Sequence, residues 1–549
     1  MGNLTIMKKN ILLLFILLLG LFVRLIFIDK PDGLWNDEYV SWSIAVVPFG
    51  KGFIEAVKTQ CHMPFYYLYL KFFMMLFGTS DLVLRLTSVF SGVIAIPVMY
   101  FLGKEFNEKT GILCASMASV SSFLIYFSQE VRLYSVLFLF SALAVLYSLK
   151  FIKLQNKKNF LFCLIFNVLI LFTHTIGFVF VFFNILFICL NLKNKKWQIY
   201  TISLVLSSML LFSPVVLKIL MEKTFSQWWG NFSISRIGFL ITDYFSPVLT
   251  NITNAPDNFF YAPKLLFFML VPALIAVIAI IVAVKSNKLC KQLGFLACLI
   301  ILVLIAASLS GKLVFLTKYS IEIYPILILL TCFGLSQINS NIIVNLLISI
   351  YFIISVGYIL IYPYSAPKMH RAEGHKIVTD MLSRMALKKD DFIIFEYYHS
   401  ERFEKYFDFR DYRIISINKA NFVKYMSPDV DYVQAYNNGK DIYRGLFLTD
   451  GNDYLKERIN RKVLNNLKEG QSVALVILDS VAIYNPDKLK LISTNNEIYS
   501  KTPLLYLVFS YLKKEVFFDL VQDLSVSRIE NKGNWTTIKF TKLNNSNKK

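Results

Sequence analysis

Lysine-marked breaks cut most of this sequence into apolar runs of bilayer length. Stretches such as ILLLFILLLGLFVRLIFI (residues 11–28) and VLRLTSVFSGVIAIPVMYFL (83–102) recur up to residue 362. A run of this length spans a hydrocarbon core of about 30 Å when helical. Helices are the form in which a single segment satisfies its own backbone there. With 56% hydrophobic and 16% aromatic residues over 549 positions, and a mean hydropathy of +0.55, a water-soluble enzyme is excluded. Beyond residue 363 charged and apolar residues mix at ordinary soluble density. Two parts follow, a membrane part over 1–363 and a tail domain over 364–549.

The formal charge of +21 would suggest nucleic acid in a soluble chain. Here the lysines cluster between apolar runs, where they set topology and meet anionic lipid, so nucleic-acid binding is rejected. The seven cysteines sit mostly inside the runs (Cys114, Cys163, Cys189, Cys298, Cys332) without C-x-x-C spacing. They read as small core residues, and disulfides are not expected. The first run follows Lys8 and Lys9 and has no A-x-A cleavage site, so a retained signal-anchor is expected.

Candidate spans cover 10–28, 82–103, 111–127, 131–150, 159–173, 176–192, 197–217, 264–285, 292–310, 319–337 and 342–362. Three connections are lysine-rich: Lys150, Lys153, Lys157 and Lys158; Lys193, Lys195 and Lys196; Lys285, Lys288 and Lys291. The positive-inside rule makes all three cytoplasmic. MPFYYLYLKFFMMLFG, Met63 to Gly78, would invert that order if it spanned. At about 1.5 Å per residue it reaches roughly 24 Å, short of the core, and Lys71 lies in its middle. It is expected to lie in the outer interface as an aromatic in-plane helix. The fold class is therefore a polytopic α-helical membrane protein of about eleven spans. It has in-plane helices in its first external loop and a C-terminal extracytoplasmic α/β domain.

That topology turns residues 29–81 outward and gathers Arg85, Arg132, His174 and Lys318 on the same side. Charge near bilayer depth costs about 2.5–3.5 kcal/mol per residue on insertion scales, so this placement is informative. Each cation alone could snorkel to head groups, and a lone His174 could be a hydrogen-bonded structural residue. Facing the cations is DGLWNDEYVSW, Asp32 to Trp42. Asn36 can cap a helix there, with Asp37 and Glu38 complementing its positive end. Alternatively, one carboxylate does acid-base work beside an anionic lipid head group. Neighbouring helical residues diverge by about 100°, so at most one can be the base.

In their order these elements resemble the GT-C membrane glycosyltransferases, in particular the protein-mannosyltransferase and aminoarabinose-transferase-like family. NDEYVSW matches the family's acidic pair in the first external loop. HMPFYYLYLKFF, from His62, matches its His-Pro-Pro segment, with Met63 replacing the first Pro. DLVLRLTSVFSG carries Arg85 at a span entry, and YFSQEVRLYSVL carries Arg132 and Tyr134 in an Arg-Tyr element. TKYSIEIYP supplies Lys318 and Tyr319 where the family has Arg-Tyr. Lysine offers a point charge in place of a fork, so phosphate contact there should be looser.

The resemblance implies inverting sugar transfer from a polyprenyl-monophosphate carrier to an acceptor hydroxyl on the extracytoplasmic face. Asp37 would be the base, and Arg132, then Lys318, then Arg85 would neutralise the departing phosphate. Glu38 would orient the loop or bind a metal. His62, Tyr134, His174 and Tyr319 join the substrate-binding candidates. The implied partners are a polyprenyl-phosphate-linked sugar, the bilayer, and an acceptor protein, lipid or glycan. A divalent cation is known in the wider class, but the sequence offers no ligand set for one, and the cofactor is left unknown. There is no Gly-rich phosphate loop, which suits a lipid-linked donor. Lys- and Asn-rich loops fit an AT-rich bacterial genome and hence the cytoplasmic membrane.

In the tail, DDFIIFEYY, YRIISI, SVALVILDS and WTTIKFTKL read as strands. HRAEGHKIVTDMLSRMA and DYLKERINRKVLNNLKEG read as helices. His370, His375 and His399 lack ligand spacing, and the Asp-Ser pair of LDSVAIY lacks elbow glycines. Sequons at Asn251 and Asn534 matter only in a host that glycosylates them. A transporter or flippase of an anionic or lipid-linked substrate is the competing reading, and a non-catalytic scaffold the third. A transporter should show repeats or broken midplane helices, and no convincing repeat is found.

Overall fold

A computed structural model describes residues 2–29, 33–54, 63–203, 235–246, 263–309, 315–361, 375–395, 405–408, 410–416, 467–468, 470–478, 525–532 and 535–541. Outside them lie His62, most of the seventh expected span, most of the second tail helix, His370, His399, the Asp-Ser pair and the asparagines of both sequons. The chain divides into two compact units: Met1–Lys30 with Asn36–His370, and Pro31–Trp35 with Arg371–Lys549.

The first unit is helical. In chain order it holds α1 (Gly2–Leu25), α2 (Asn36–Val46), α3 (Phe65–Phe77), α4 (Asp81–Lys104) and α5 (Glu108–Val120). There follow α6 (Ser122–Ser128), α7 (Tyr134–Leu154), α8 (Lys157–Thr173), α9 (Gly177–Asn191) and α10 (Ser235–Phe245). Then come α11 (Pro263–Ser286), α12 (Lys288–Leu309), a 3₁₀ turn (Thr317–Ile323), α13 (Tyr324–Ser336) and α14 (Asn341–Ile361). Among the described residues, α4, α7, α12 and the continuous 317–336 stretch are long and apolar enough to cross a membrane. The pair α5–α6 makes a fifth. Shorter apolar helices include Phe65–Phe77 and Gly177–Asn191.

α4 starts cleanly because Ser80 Oγ accepts the Val83 amide, and α5 because Asn107 accepts the Thr110 amide. The two helices cross closely where glycine faces glycine. A Cβ on Gly103 would lie 2.7 Å from the Thr110 carbonyl oxygen, and one on Gly111 2.8 Å from that of Tyr100. Small residues permit this approach, as they do in membrane helix pairs generally. α7, α8 and α9 are joined by buried amides and hydroxyls. Asn184 Nδ2 donates to Ser148 Oγ (3.1 Å) and Asn167 Oδ1 (3.0 Å).

The sequence reads 111–127 as one span, but the structure breaks it. α5 and α6 meet at 55°. Ser121 sits in the break, ends α5 and caps α6, its Oγ accepting the Leu124 amide. A break frees carbonyls that must find other donors. Fully buried Arg24 of α1 supplies them: Nη2 donates to Ala118 O (2.9 Å), Nη1 to Ser119 O (2.8 Å) and Nε to Ser128 Oγ (3.1 Å). Gly92 leaves room for this arrangement, since a Cβ there would collide with Ser128 Oγ. Gln129 then donates to the Arg24 and Ile26 carbonyls (3.1 and 2.6 Å), tying the loop after α6 to the end of α1.

Lys71 has an assignment that no spacing rule gives. Its Nζ donates to the Ala45 and Val47 carbonyls (2.9 and 2.7 Å), capping the C-terminus of α2. A lysine at a helix C-terminus is favourable to the dipole as well as to the orphan carbonyls. On the same helix Phe72, Met75 and Phe77 are exposed.

The second unit holds β1 (Phe392–Phe395), β2 (Arg413–Ser416), β3 (Ser472–Leu478), β4 (Ser525–Lys532), β5 (Trp535–Thr541) and the helix α15 (His375–Arg384). The strand order is β2-β1-β3-β5-β4. β1 runs parallel to β2 and β3, and β5 antiparallel to β3 and β4. The α15 residues Val378, Met381 and Leu382 pack on Ile393, Ala474 and Val476. Asp391 staples the edge of this core, its carboxylate accepting the Lys388 and Ser472 amides (2.7 and 2.9 Å). Lys539 Nζ caps the end of α15 through the Met385 and Ala386 carbonyls (both 2.9 Å). Four of the five strands among the described residues are those expected from the sequence; β4, SVSRIENK, carries too much charge to have been recognised.

Replacing Arg24 by Met removes the donors that satisfy the α5–α6 break. Arg24→Met should lower unfolding stability in detergent by about 2–4 kcal/mol, with Arg24→Lys recovering less than half because it has no fork. An unchanged denaturation midpoint in Arg24→Met would contradict this account of the break.

Candidate functional site

The two adjacent carboxylates of α2 have opposite fates. Glu38 is fully buried and points at Arg85 of α4, itself fully buried. Arg85 Nε donates to Glu38 Oε1 (3.0 Å) and Nη2 to Oε2 (2.9 Å), a bidentate fork. The Val131 amide donates to the same Oε1 (3.1 Å), and Arg85 Nη1 reaches the Ile28 carbonyl (3.3 Å). Glu38 thereby ties α2 to α4 and to the loop between α6 and α7. The next residue along that loop is Arg132.

Asp37, about 100° around the helix, turns the other way. Its Oδ2 lies 3.8 Å from Arg132 Nη2 and 3.9 Å from Lys318 Nζ. These spacings exceed the hydrogen-bond range, so both cations act on one carboxylate oxygen through space. The Asp37 side chain keeps 19% exposure, against 9% and 8% for the two cations. Arg132 Nη1 also donates to the Asp37 carbonyl (3.3 Å) and to Ser41 Oγ (3.4 Å). Two aromatic rings support the cations: Arg132 lies 6.0 Å from the Tyr134 ring centre and Lys318 5.3 Å from that of Tyr319.

His174, between α8 and α9, lies between those rings, 6.5 Å from Tyr134 and 5.8 Å from Tyr319. Its Nδ1 is 3.4 Å from Glu322 Oε1, and both side chains are 3% exposed. Lys318, Tyr319 and Glu322 share the 3₁₀ turn ahead of α13, every residue of which is buried. α10 holds that turn: Thr317 Oγ1 donates to Asp243 Oδ2 (2.8 Å) and Tyr244 Oη to Ser320 O (2.7 Å).

Of the residues singled out in the sequence, Asp37, Arg132, Lys318, Tyr134, Tyr319 and His174 come together. Arg85 does not join the cations around Asp37, because Glu38 takes its guanidinium. Sequence reasoning missed Glu322, Asp243, Glu130, Tyr66 and Tyr67, all at most 2% exposed. The one signal was an acid in an apolar setting, as in TKYSIEIYP and LITDYF. Among the described residues no group of three or more His, Cys, Asp or Glu side chains could hold a metal ion. What the cluster offers is a carboxylate at a partly open position with two cations converging on it. That suits an anion beside a group that takes a proton.

Residues 61–217 match the profile of the family described as "Dolichyl-phosphate-mannose-protein mannosyltransferase". The resemblance read from the residues is thus matched over that stretch. No curated protein matches the chain. Among solved structures, ArnT from Cupriavidus metallidurans bound to undecaprenyl phosphate is 12% identical, with a TM-score of 0.47 over 96% of this chain and 97% of that one. Its apo form gives 0.49 at 12% identity over 97% and 98%. The archaeal oligosaccharyltransferase AglB from Archaeoglobus fulgidus, in complex with an inhibitory peptide and a dolichol-phosphate, gives 0.44 at 13% identity over 85% and 69%. These are distant likenesses.

Arg85→Met leaves the Glu38 carboxylate buried without its partner, which costs about 3–5 kcal/mol, whereas the apolar double variant Glu38→Leu/Arg85→Met should regain much of that loss. Denaturation midpoints of both singles and the double check this. A double variant no more stable than Arg85→Met would contradict it.

Proposed function

We propose that this chain, related over residues 61–217 to the dolichyl-phosphate-mannose-protein mannosyltransferase family, is a glycosyltransferase with a lipid-linked donor. It moves a sugar from a polyprenyl-monophosphate carrier to an acceptor hydroxyl on the extracytoplasmic face. The observation that carries this reading is the convergence of Arg132 and Lys318, at 3.8 and 3.9 Å, on the partly exposed carboxylate of Asp37.

The chemistry follows from the arrangement. Asp37 takes the proton of the acceptor hydroxyl as its oxygen forms a bond to the anomeric carbon. The bond from that carbon to the carrier phosphate breaks, and the electron pair leaves on the phosphate oxygen. Attack opposite the leaving group inverts the anomeric centre. Phosphate is a tolerable leaving group, so the protein mainly holds the reactants in line and neutralises growing charge. Arg132 and Lys318 supply that neutralisation, and they gain most as the phosphate moves from monoanionic diester toward dianionic monoester. Glu38 and Arg85 are positioning residues, since each is spent on the other. Tyr134 and Tyr319 stack beside the cations and line the space where the sugar or phosphate would lie.

In this reading the membrane part has eleven spans. α3 lies in the outer interface with its exposed Phe72, Met75 and Phe77 toward lipid. The tail domain faces outward and contacts the acceptor or a partner. The protein resides in the cytoplasmic membrane of a bacterium.

Two outcomes are expected. Asp37→Asn should lower sugar transfer from a polyprenyl-phosphate donor by about 10²–10⁴-fold, the usual worth of a general base, while polyprenyl phosphate still binds. Transfer at the parent rate would remove Asp37 from the mechanism. Single cysteines at Asn194 and Asn287, placed in a cysteine-free background, should react with an impermeant maleimide only in opened cells, and one at Gln471 in intact cells. The reverse pattern would overturn the orientation.

A further inference from the structure

Besides Tyr319, three tyrosines crowd the site: Tyr66 and Tyr67 on α3 and Tyr134 on α7. Each is fully buried. All three hydroxyls lack a hydrogen-bond partner among the described residues; that of Tyr66 lies towards Ser88 and that of Tyr134 towards Arg132, whereas Tyr67 has no such polar neighbour on hand. Tyr67 is 0% exposed. The charged groups within its electrostatic reach are Arg132 and Asp37.

The helix geometry explains this placement. Residues four apart share a helix face, so Tyr67 lies one turn before Lys71 on the side of α3 turned to α2. Lys71 caps the last turn of α2, through Ala45 and Val47. Tyr67 shares that α2-facing side of α3, and the charges beside it are Asp37 of α2 and Arg132. Its ring packs edge-on against Tyr66 at 5.8 Å, which fixes its direction. An unpaired buried hydroxyl lowers stability, and most buried tyrosines find a partner. A buried hydroxyl with no protein partner among the described residues, beside a cation-carboxylate pair, is therefore placed to donate to a bound acceptor.

We propose that the Tyr67 hydroxyl is a ligand-binding group that donates a hydrogen bond to a phosphate oxygen of the lipid carrier held by Arg132 and Lys318. The inference rests on the functional reading above and adds a neutral donor to its two cations. The departing monoester presents three non-bridging oxygens, each able to accept more than one hydrogen bond, so a neutral donor can bind beside the two cations. A hydroxyl donor also stays competent when Asp37 carries a proton, because its own charge does not change.

The test uses the full-length protein in detergent, comparing the parent with Tyr67→Phe. Thermal midpoints are measured without ligand and with polyprenyl monophosphate, the matching polyprenol, and inorganic phosphate. Tyr67→Phe is expected to melt at or above the parent temperature when empty, because it removes only an unpaired hydroxyl. It is expected to bind polyprenyl monophosphate about tenfold more weakly, as for one lost hydrogen bond to a charged group. Polyprenol should act on both proteins alike, and inorganic phosphate should protect neither. Equal affinity of the two proteins for polyprenyl monophosphate would overturn the proposal while leaving the glycosyltransferase reading in place. A lower melting point for empty Tyr67→Phe would overturn it too, by showing that the hydroxyl already has a structural partner such as a buried water. Protection of the parent by inorganic phosphate as strong as that by the lipid would reject the lipid source. A parent that binds no polyprenyl phosphate would end both readings.

Discussion

The buried fork between Glu38 and Arg85 is the constraint from which the rest of the site follows. Two charges removed from water are tolerable only when their geometry satisfies both, and here two parallel hydrogen bonds and the Val131 amide do so. Once Glu38 is fixed, helical geometry turns Asp37 to the other side. Once Val131 is fixed, Arg132 follows it into the same space. One interaction thus decides which carboxylate is exposed and where its first cation stands.

The second cation comes from a different part of the chain and depends on a different device. Lys318 lies on a 3₁₀ turn rather than a regular helix, and α10 pins that turn through Asp243 and Tyr244. Such turns expose carbonyls and need outside donors, which Tyr244 provides. Tyr324 then returns a hydrogen bond to the Tyr244 carbonyl (2.6 Å), locking the start of α13 to the same helix. The site is therefore assembled from α2, the loop after α6, and the entry to α13, each braced by buried polar contacts. This is an expensive way to build a helical bundle, and in the proposed reading the cost is offset by a site that binds an anion without reorganising.

Much of the helical plan was legible because lysine clusters and apolar run lengths obey simple rules. The expected spans at 82–103, 131–150 and 159–173 coincide with α4, α7 and α8 to within a few residues. The break at Ser121 was not legible, because serines are tolerated inside membrane helices and the deciding partner, Arg24, is nearly a hundred residues away. Arg24 itself looked like one charge near the end of a span. Lys71 was visible as an anomaly, but its role as a cap of α2 requires knowing which helix lies beside α3. In the site, Asp37, Arg132 and Lys318 were nameable from their order along the chain. Pairings such as His174 with Glu322 were not, since single-residue rules say nothing about contacts across 148 positions.

The central claim is that Arg132, Lys318 and Asp37 surround one lipid phosphate. A structure determined with polyprenyl monophosphate bound would test it most directly. The account predicts the phosphorus within about 4–5 Å of both the Arg132 guanidinium and the Lys318 ammonium, the range of a direct ion pair. Density for the phosphate beside some other cations, with Arg132 and Lys318 still turned only to Asp37, would contradict it.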